Sequence, residues 1–379
     1  MTLPYFDESH ALLRESVRTL REREIEPFIN EWEDAEEIPR ELYTTMAEAG
    51  LLGLSYPEEV GGSACDVFHG IVMTEELMKS ASIGLLAGLF SHNIALPPIV
   101  ALGTPEQKAR FVTPVLEGRR IASLGVTEPN AGSDVANIQT SAVRNGDHYV
   151  VNGAKTFITS GCRADQLTAV VRTGGEGFGG ISLLVIESDT PGYRVAKKLR
   201  KMGWAASDTA ELVFEDCRVP VENRIGEEGQ GFEALMVNFQ RERLGLAVMA
   251  YAAAEVAFDE ALRYARERHA FGRPLTGFQV TRHKLADMKM RVAAAKAFTY
   301  QVAARINAGE YPVSEVSMAK NFACEMCDLV VNEAVQIHGG YGYAREFKVE
   351  RLYRDTRLLS IGGGTNEVMR EIIAKFEGF

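Results

Sequence analysis

The chain has 379 residues, 46% of them hydrophobic and 25% charged, which is too many for one ordinary core and enough for two or three packed units. A formal net charge of −11 excludes a broad nucleic-acid surface, and no apolar run reaches the roughly 18 residues that a membrane-spanning helix requires. Five cysteines, an odd count in a chain of this length, exclude a disulfide framework and read as reduced thiols.

The opening MTLPYFDESH has neither a basic stretch followed by an apolar one nor an Arg- and Ser-rich character, so a cytoplasmic location is expected. From Glu8 to about Gly118 the apolar residues keep a helical period: Leu12, Leu13, Val17 and Leu20 recur on one face. Pro39 is expected in the first turn of a later helix, and Gly50 and Gly53 break the chain after Met46 and Ala47. Residues 1–120 therefore read as a helical domain. The period changes between Ile121 and Glu222, where His148–Val151, Leu167–Val171, Ile181–Ile186 and Ala210–Phe214 are short, β-branched and separated by Asn-Gly and Gly-rich turns. A β-barrel domain is predicted over 121–228. Long helical stretches then run over Phe232–Arg268, Gln279–Ala308 and Val313–Gln336, predicting an antiparallel four-helix bundle over 229–379 and an α+β fold overall.

Two patterns carry no chemistry. Gly175 to Gly180 fits G-x-G-x-x-G by letter, but a strand follows it where the dinucleotide fingerprint must open a helix. Cys324 and Cys327 form a single C-x-x-C inside a helical stretch, and no histidine has companion ligand spacing, so no metal is expected.

Four segments could hold a functional site. In the stripe Phe232, Leu235, Met236, Phe239, Leu246, Met249, Ala250, helical spacing places Glu242 where a core residue belongs. Burial raises a carboxyl pKa, so this position fits either a working carboxylate or an ion pair with Arg241, Arg243 or another helix. Val126 to Asp134 (VTEPNAGSD) is a Gly/Pro-shaped turn able to cradle a phosphate or a ring edge. Gln336 to Gly342 ends a helix on paired glycines, for which ordinary capping suffices. In Ile361 to Glu367, glycines permit close backbone approach before Thr365 or Asn366 caps a last helix.

Together with Lys155 to Ser160 (KTFITS), Met202-Gly203, Asp208 to Leu212, Arg268 to Gly272 (RHAFG) and Arg354 to Glu367, these motifs make the sequence resemble the acyl-CoA dehydrogenases over essentially its whole length. The resemblance implies a helical domain, a β-barrel and a helical bundle. It also implies FAD as cofactor, α,β-dehydrogenation of an acyl-CoA thioester to the trans-2-enoyl-CoA, and an electron-transfer flavoprotein as acceptor. Val126, Thr127, Ser133, Phe157, Ile158 and Thr159 would wrap the flavin, Phe157 standing where Trp is frequent. Arg268, Phe271, Phe278, Gln279 and Gln336, Ile337, His338, Gly339 and Gly340 would reach the FAD of a neighbouring subunit, hence an expected homotetramer or homodimer. Thr365 and Glu367 would lie near the FAD phosphates, and Ser133, Gln240, Arg243 and Gly364 near the substrate. Ala270 replaces a frequent Ser or Thr, removing one hydroxyl contact.

The informative departure is Gly363. Many members of the family carry the catalytic glutamate there, whereas a branch including isovaleryl-CoA and long-chain acyl-CoA dehydrogenases carries it on the bundle helix before Arg-Leu, as in Glu242-Arg243-Leu244. Glu242 is therefore the expected base and the backbone N–H of Gly363 the expected oxyanion donor. An acyl-CoA oxidase and a non-catalytic flavin- or acyl-CoA-binding protein are the alternatives. Small residues at Gly84, Ala87, Gly88 and Ala95 imply either room for a long or methyl-branched chain or tight helix packing.

Overall fold

The structure, a computed structural model, describes residues 5–379; the first four residues of the opening segment lie outside it. Helices occupy the chain from Glu8 to Leu116, strands from Ala122 to Ile225, and helices again from Gly231 to Glu377, apart from one two-stranded ribbon that pairs His269–Ala270 with Arg273–Pro274. Local chemistry sets the helix starts. Asp7 accepts from the Ser9 and His10 amides to open the Glu8–Leu20 helix, and Thr104 and Gln107 form a reciprocal cap around Pro105. Pro39 departs from expectation: it lies two residues before the Glu41–Glu48 helix, with Arg40 at the cap. Gly50 takes φ +73° as the chain leaves that helix, a conformation that strains any side chain.

The middle domain is one eight-stranded sheet: β1 (Ala122–Gly125), β2 (Ser141–Asn145), β3 (His148–Thr159), β4 (Gln166–Arg172), β5 (Ile181–Glu187), β6 (Tyr193–Lys198), β7 (Thr209–Pro220) and β8 (Arg224–Ile225). Their order is β6-β7-β3-β2-β4-β5-β8, with β1 parallel to β4. β4 and β5 are buried along all but their last residue because both their faces are covered. Leu167, Ala169, Val171, Leu184 and Ile186 join the core against β3 and β7, while Val170, Ile181, Leu183 and Val185 pack with Phe111, Val115 and Leu235 from the helical domains. The glycines at 175–180 form the loop between β4 and β5, which pair antiparallel, so no βαβ unit exists there.

The bundle is built on the helices Gly231–Glu267, Gln279–Asn307, Val313–His338 and Asn366–Glu377. Ala247, Ala250, Ala254, Ala257 and Ala261 are fully buried on the first of these, and such small residues let neighbouring helices approach closely. Cys324 and Cys327 are buried on the third, where desolvation pushes both thiols up, Cys324 to about 12.

Asp355 joins all three domains. Its carboxylate accepts from the Ile83 amide (3.0 Å), at the start of a helix in the first domain, and from the Trp204 amide (2.6 Å) of the sheet domain. Burial first, and the nearby Glu33 second, raise it to about 7. A β-carbon at Gly84 would stand 2.8 Å from the Trp204 carbonyl carbon, and one at Gly88 3.2 Å from Ile38 Cδ1. These two small residues are therefore close-packing positions and not empty space.

Candidate active site

Glu242 sits about a third of the way along the Gly231–Glu267 helix, on the face that meets the Ile361–Thr365 loop. Its carboxyl keeps a window of solvent contact, yet enough protein surrounds it that desolvation raises it to about 7, against the opposing pull of Arg243 and Lys320. No ion pair among the described residues involves Glu242, so the pairing alternative with Arg241, Arg243 or another helix finds no contact. Arg243 turns elsewhere: its Nε donates to the Gly363 carbonyl at 3.2 Å, and its guanidinium lies over the Phe239 ring.

The loop meets the helix at Gly363. A β-carbon there would fall 3.5 Å from Glu242 Oε1 and 2.4 Å from Leu246 Cδ1, and the residue holds φ +64°. Gly363 and Glu242, 121 residues apart in sequence, thus converge on one point. Gly364 follows at φ +94°, and its carbonyl accepts from Lys320 Nζ at 2.7 Å. Thr365 caps the last helix by accepting from the Val368 amide, while Glu367 in its first turn is exposed. Gln240 is buried with Oε1 unpartnered among the described residues, as is Asn238 Oδ1 one turn before Glu242. Such orphaned acceptors fit a cleft that receives a polar ligand.

Around the expected flavin site the sheet supplies a rigid frame. Glu128, inside the Val126–Asp134 turn, pairs with the fully buried Lys155 at 2.7 Å and accepts from the Gln139 and Thr140 amides. Lys155 also donates to the Val126 carbonyl at 3.1 Å, and the Thr156 amide to that of Thr127. The pairing of β3 with β7 is irregular between Lys155 and Ile158, and Phe157 there takes φ +59° with 68% of its surface exposed. Such an irregularity re-aims a side chain, and an aromatic face held out of the core suits a planar ring system. Val126, Thr127 and Thr159 are half-buried beside it and Ser133 is exposed. Ile158 is committed to the sheet core, which leaves only its backbone for a ligand.

The remaining expected residues form a second group. Arg268, Ile337, His338, Gly339 and Gly340 line an open cleft of about 540 Å³ with Tyr264 and Tyr341. His338 is buried, stacked on Tyr264, with Nδ1 on the Ala334 carbonyl, so it supports the cleft wall. Phe271 is 96% exposed and stands edge-on to Phe278, which Gln279, exposed, follows directly; Gln336, near the end of the Val313–His338 helix, is exposed as well. Arg268 follows the helix that carries Glu242, 26 residues on, which at 1.5 Å per residue is roughly 40 Å along the axis. This group therefore lies far from Glu242 of the same chain.

Two features lie outside the expected site residues. Lys320 is fully buried on the Val313–His338 helix beside the glycine loop. His10, Asp66 and His69 come together from distant segments, with Asp66 Oδ1 2.7 Å from His69 Nδ1 and 3.1 Å from His10 Nε2. Asp66 also caps the Val67–Met78 helix and His10 completes the cap of the first, so these contacts secure helix ends.

The chain matches the family descriptions "Acyl-CoA dehydrogenase, N-terminal domain" over residues 7–119, "middle domain" over 123–217 and "C-terminal domain" over 229–377. It is 56% identical to a probable acyl-CoA dehydrogenase from Mycobacterium abscessus whose crystal structure superposes with a TM-score of 0.97, covering 99% of this chain and 100% of that one. It is 39% identical to the mitochondrial long-chain specific acyl-CoA dehydrogenase of Rattus norvegicus, over 98% of this chain and 86% of the relative. It is also 36% identical to the caffeyl-CoA reductase-Etf complex subunit CarC of Acetobacterium woodii, over 98% of both.

Proposed function

This chain belongs to the acyl-CoA dehydrogenase family of FAD-dependent oxidoreductases, and on that premise we propose that it converts a medium- or long-chain or methyl-branched acyl-CoA to the trans-2-enoyl-CoA with Glu242 as base. The carrying observation is the convergence of Glu242 and Gly363, which puts a half-buried carboxylate of raised pKa beside an unencumbered backbone.

Glu242 in its ionised form takes the α-proton, which the thioester carbonyl acidifies. A carboxyl near 7 is matched to that transfer at neutral pH. The Gly363 N–H, which donates to no acceptor among the described residues, is free to polarise the thioester oxygen. Arg243 fixes that backbone through the Gly363 carbonyl, and Gln240 and Ser133 contribute polar contacts to the thioester and CoA. FAD, when bound, supplies the acceptor for the β-hydrogen and its electrons. Val126, Thr127, Phe157, Thr159, Thr365 and Glu367 would hold it from one protomer; Arg268, Phe271, Phe278, Gln279 and 336–340 from a second copy in a homodimer or homotetramer.

An electron-transfer flavoprotein is the acceptor in this reading, supported by the Etf complex in the name of the Acetobacterium woodii relative. The chain-length range draws on the long-chain relative of Rattus norvegicus and on the base position. A cytoplasmic location goes with this, and no single helix among the described residues is long and apolar enough to cross a membrane.

Anaerobic titration with acyl-CoAs of graded length and branching tests the proposal. Substrate should bleach the flavin, and Glu242→Gln should slow bleaching by about 10³-fold while keeping the flavin bound. Bleaching at the wild-type rate in that variant would refute the assignment. Peroxide formed at the rate of turnover with acceptor withheld would instead mark an oxidase.

A further inference from the structure

Lys320 is 0% exposed, and no carboxylate stands within ion-pair distance of it among the described residues. Its described hydrogen bond is to the Gly364 carbonyl, 2.7 Å from Nζ, while Arg243 holds the preceding carbonyl, that of Gly363. Consecutive carbonyls of the glycine loop are thus gripped by cations from two different helices. Because each peptide unit is planar, fixing these oxygens fixes both peptide planes that follow Gly363. On the other side the Gly362 amide donates to the Leu358 carbonyl at 2.8 Å, which anchors the turn before it. Between these anchors the Gly363 N–H keeps one direction with no acceptor of its own.

The same two cations are the charged groups that face Glu242: Arg243 from its own helix and Lys320 from the Val313–His338 helix; the loop opposite is neutral. Around Lys320 stand Arg243, Glu242, Glu367 and the Cys324 thiol. Arg243 and Lys320 both oppose the desolvation that would otherwise leave Glu242 protonated.

Resting on the reading of Glu242 as base, we propose that Lys320 is a positioning residue of the reaction, fixing the backbone that carries the Gly363 N–H and favouring the charged form of Glu242. A buried lysine kept without a carboxylate is costly to the fold, and the loop contact together with the nearby base gives it a task.

Lys320→Met, Lys320→Gln and Lys320→Arg, each prepared as FAD-loaded holoenzyme with flavin content checked by its visible spectrum, test this. In Met and Gln variants kcat should fall by about 10- to 100-fold, and the acid limb of kcat/KM against pH should move alkaline by about one unit. Lys320→Arg should keep the acid limb in place. Lys320→Gln retains a donor for the Gly364 carbonyl without the charge, so it reports on the electrostatic role if Lys320→Met does not fold. A fall in kcat with an unmoved acid limb in both neutral variants, or no change in either quantity, would overturn the proposal. Turnover surviving in Glu242→Gln would instead remove the base assignment, a separate result.

Discussion

The middle domain and the bundle each bury a lysine completely, and the two are treated differently. Lys155 faces Glu128 at 2.7 Å, and the spare capacity of that carboxylate is taken by two backbone amides. Lys320, near Glu242, has among the described residues only the Gly364 carbonyl at hydrogen-bond distance. Burial lowers both lysines, Lys155 to about 8. Compensation is local where a loop has only to be rigid. In the proposed reading it is left incomplete beside a carboxyl that gains and loses a proton, because a close ion pair would lock that carboxyl in its charged form.

Breaking the compensated pair should have the largest effect. Lys155→Met leaves Glu128 buried and unpaired and should destabilise the protein by about 3–5 kcal/mol, whereas Lys155→Met with Glu128→Leu should recover part of the loss, the rest reporting the Gln139 and Thr140 amides left without an acceptor. Thermal unfolding of the single and double variants reads this out; equal destabilisation in both would remove the contrast.

Glu242→Gln should act in the opposite direction. A carboxyl raised to about 7 in the folded state contributes stability below its unfolded value near 4.5, which is lost as pH rises through 7. Replacing it should therefore stabilise the protein at pH 8 by on the order of 3 kcal/mol, with the gain shrinking to nothing near pH 4.5. The pH dependence of the Tm difference between the two proteins measures it. A difference independent of pH would show that the charge is not the cause.

Gly363→Ala should be smaller, about 2 kcal/mol, because a methyl meets Leu246 Cδ1 at 2.4 Å on a backbone of positive φ. Adding Leu246→Ala relieves the contact but not the backbone strain, so partial recovery in the unfolding transition separates the two.

Domain order and the long bundle helices were legible because periodicity is local. The misplaced carboxylate at 242 was legible for the same reason. Lys320 offered the same signal, a charge among Val316, Ala319, Ala323 and Cys324, and the same reasoning applied to that helix would have found it. β3 and β7 run much longer than their apolar segments, since Gly153 and the irregular pairing near Phe157 interrupt the alternation on which strand reading depends. Pairings such as Lys155 with Glu128, or Asp355 with Ile83 and Trp204, join residues that no window of sequence holds together.

The approach of the Gly363 backbone to Glu242 also bears on how such a site can change over generations. A side chain at 363 would reach the spot that Glu242 occupies, so in the proposed reading the proton acceptor belongs to a location and not to a position in the chain. Installing a second carboxylate at 363 while the first remains would set two like charges side by side, of which one would stay protonated at neutral pH. A chain that moved the acid from one element to the other in single steps would therefore pass through a site with a surplus acid or with none.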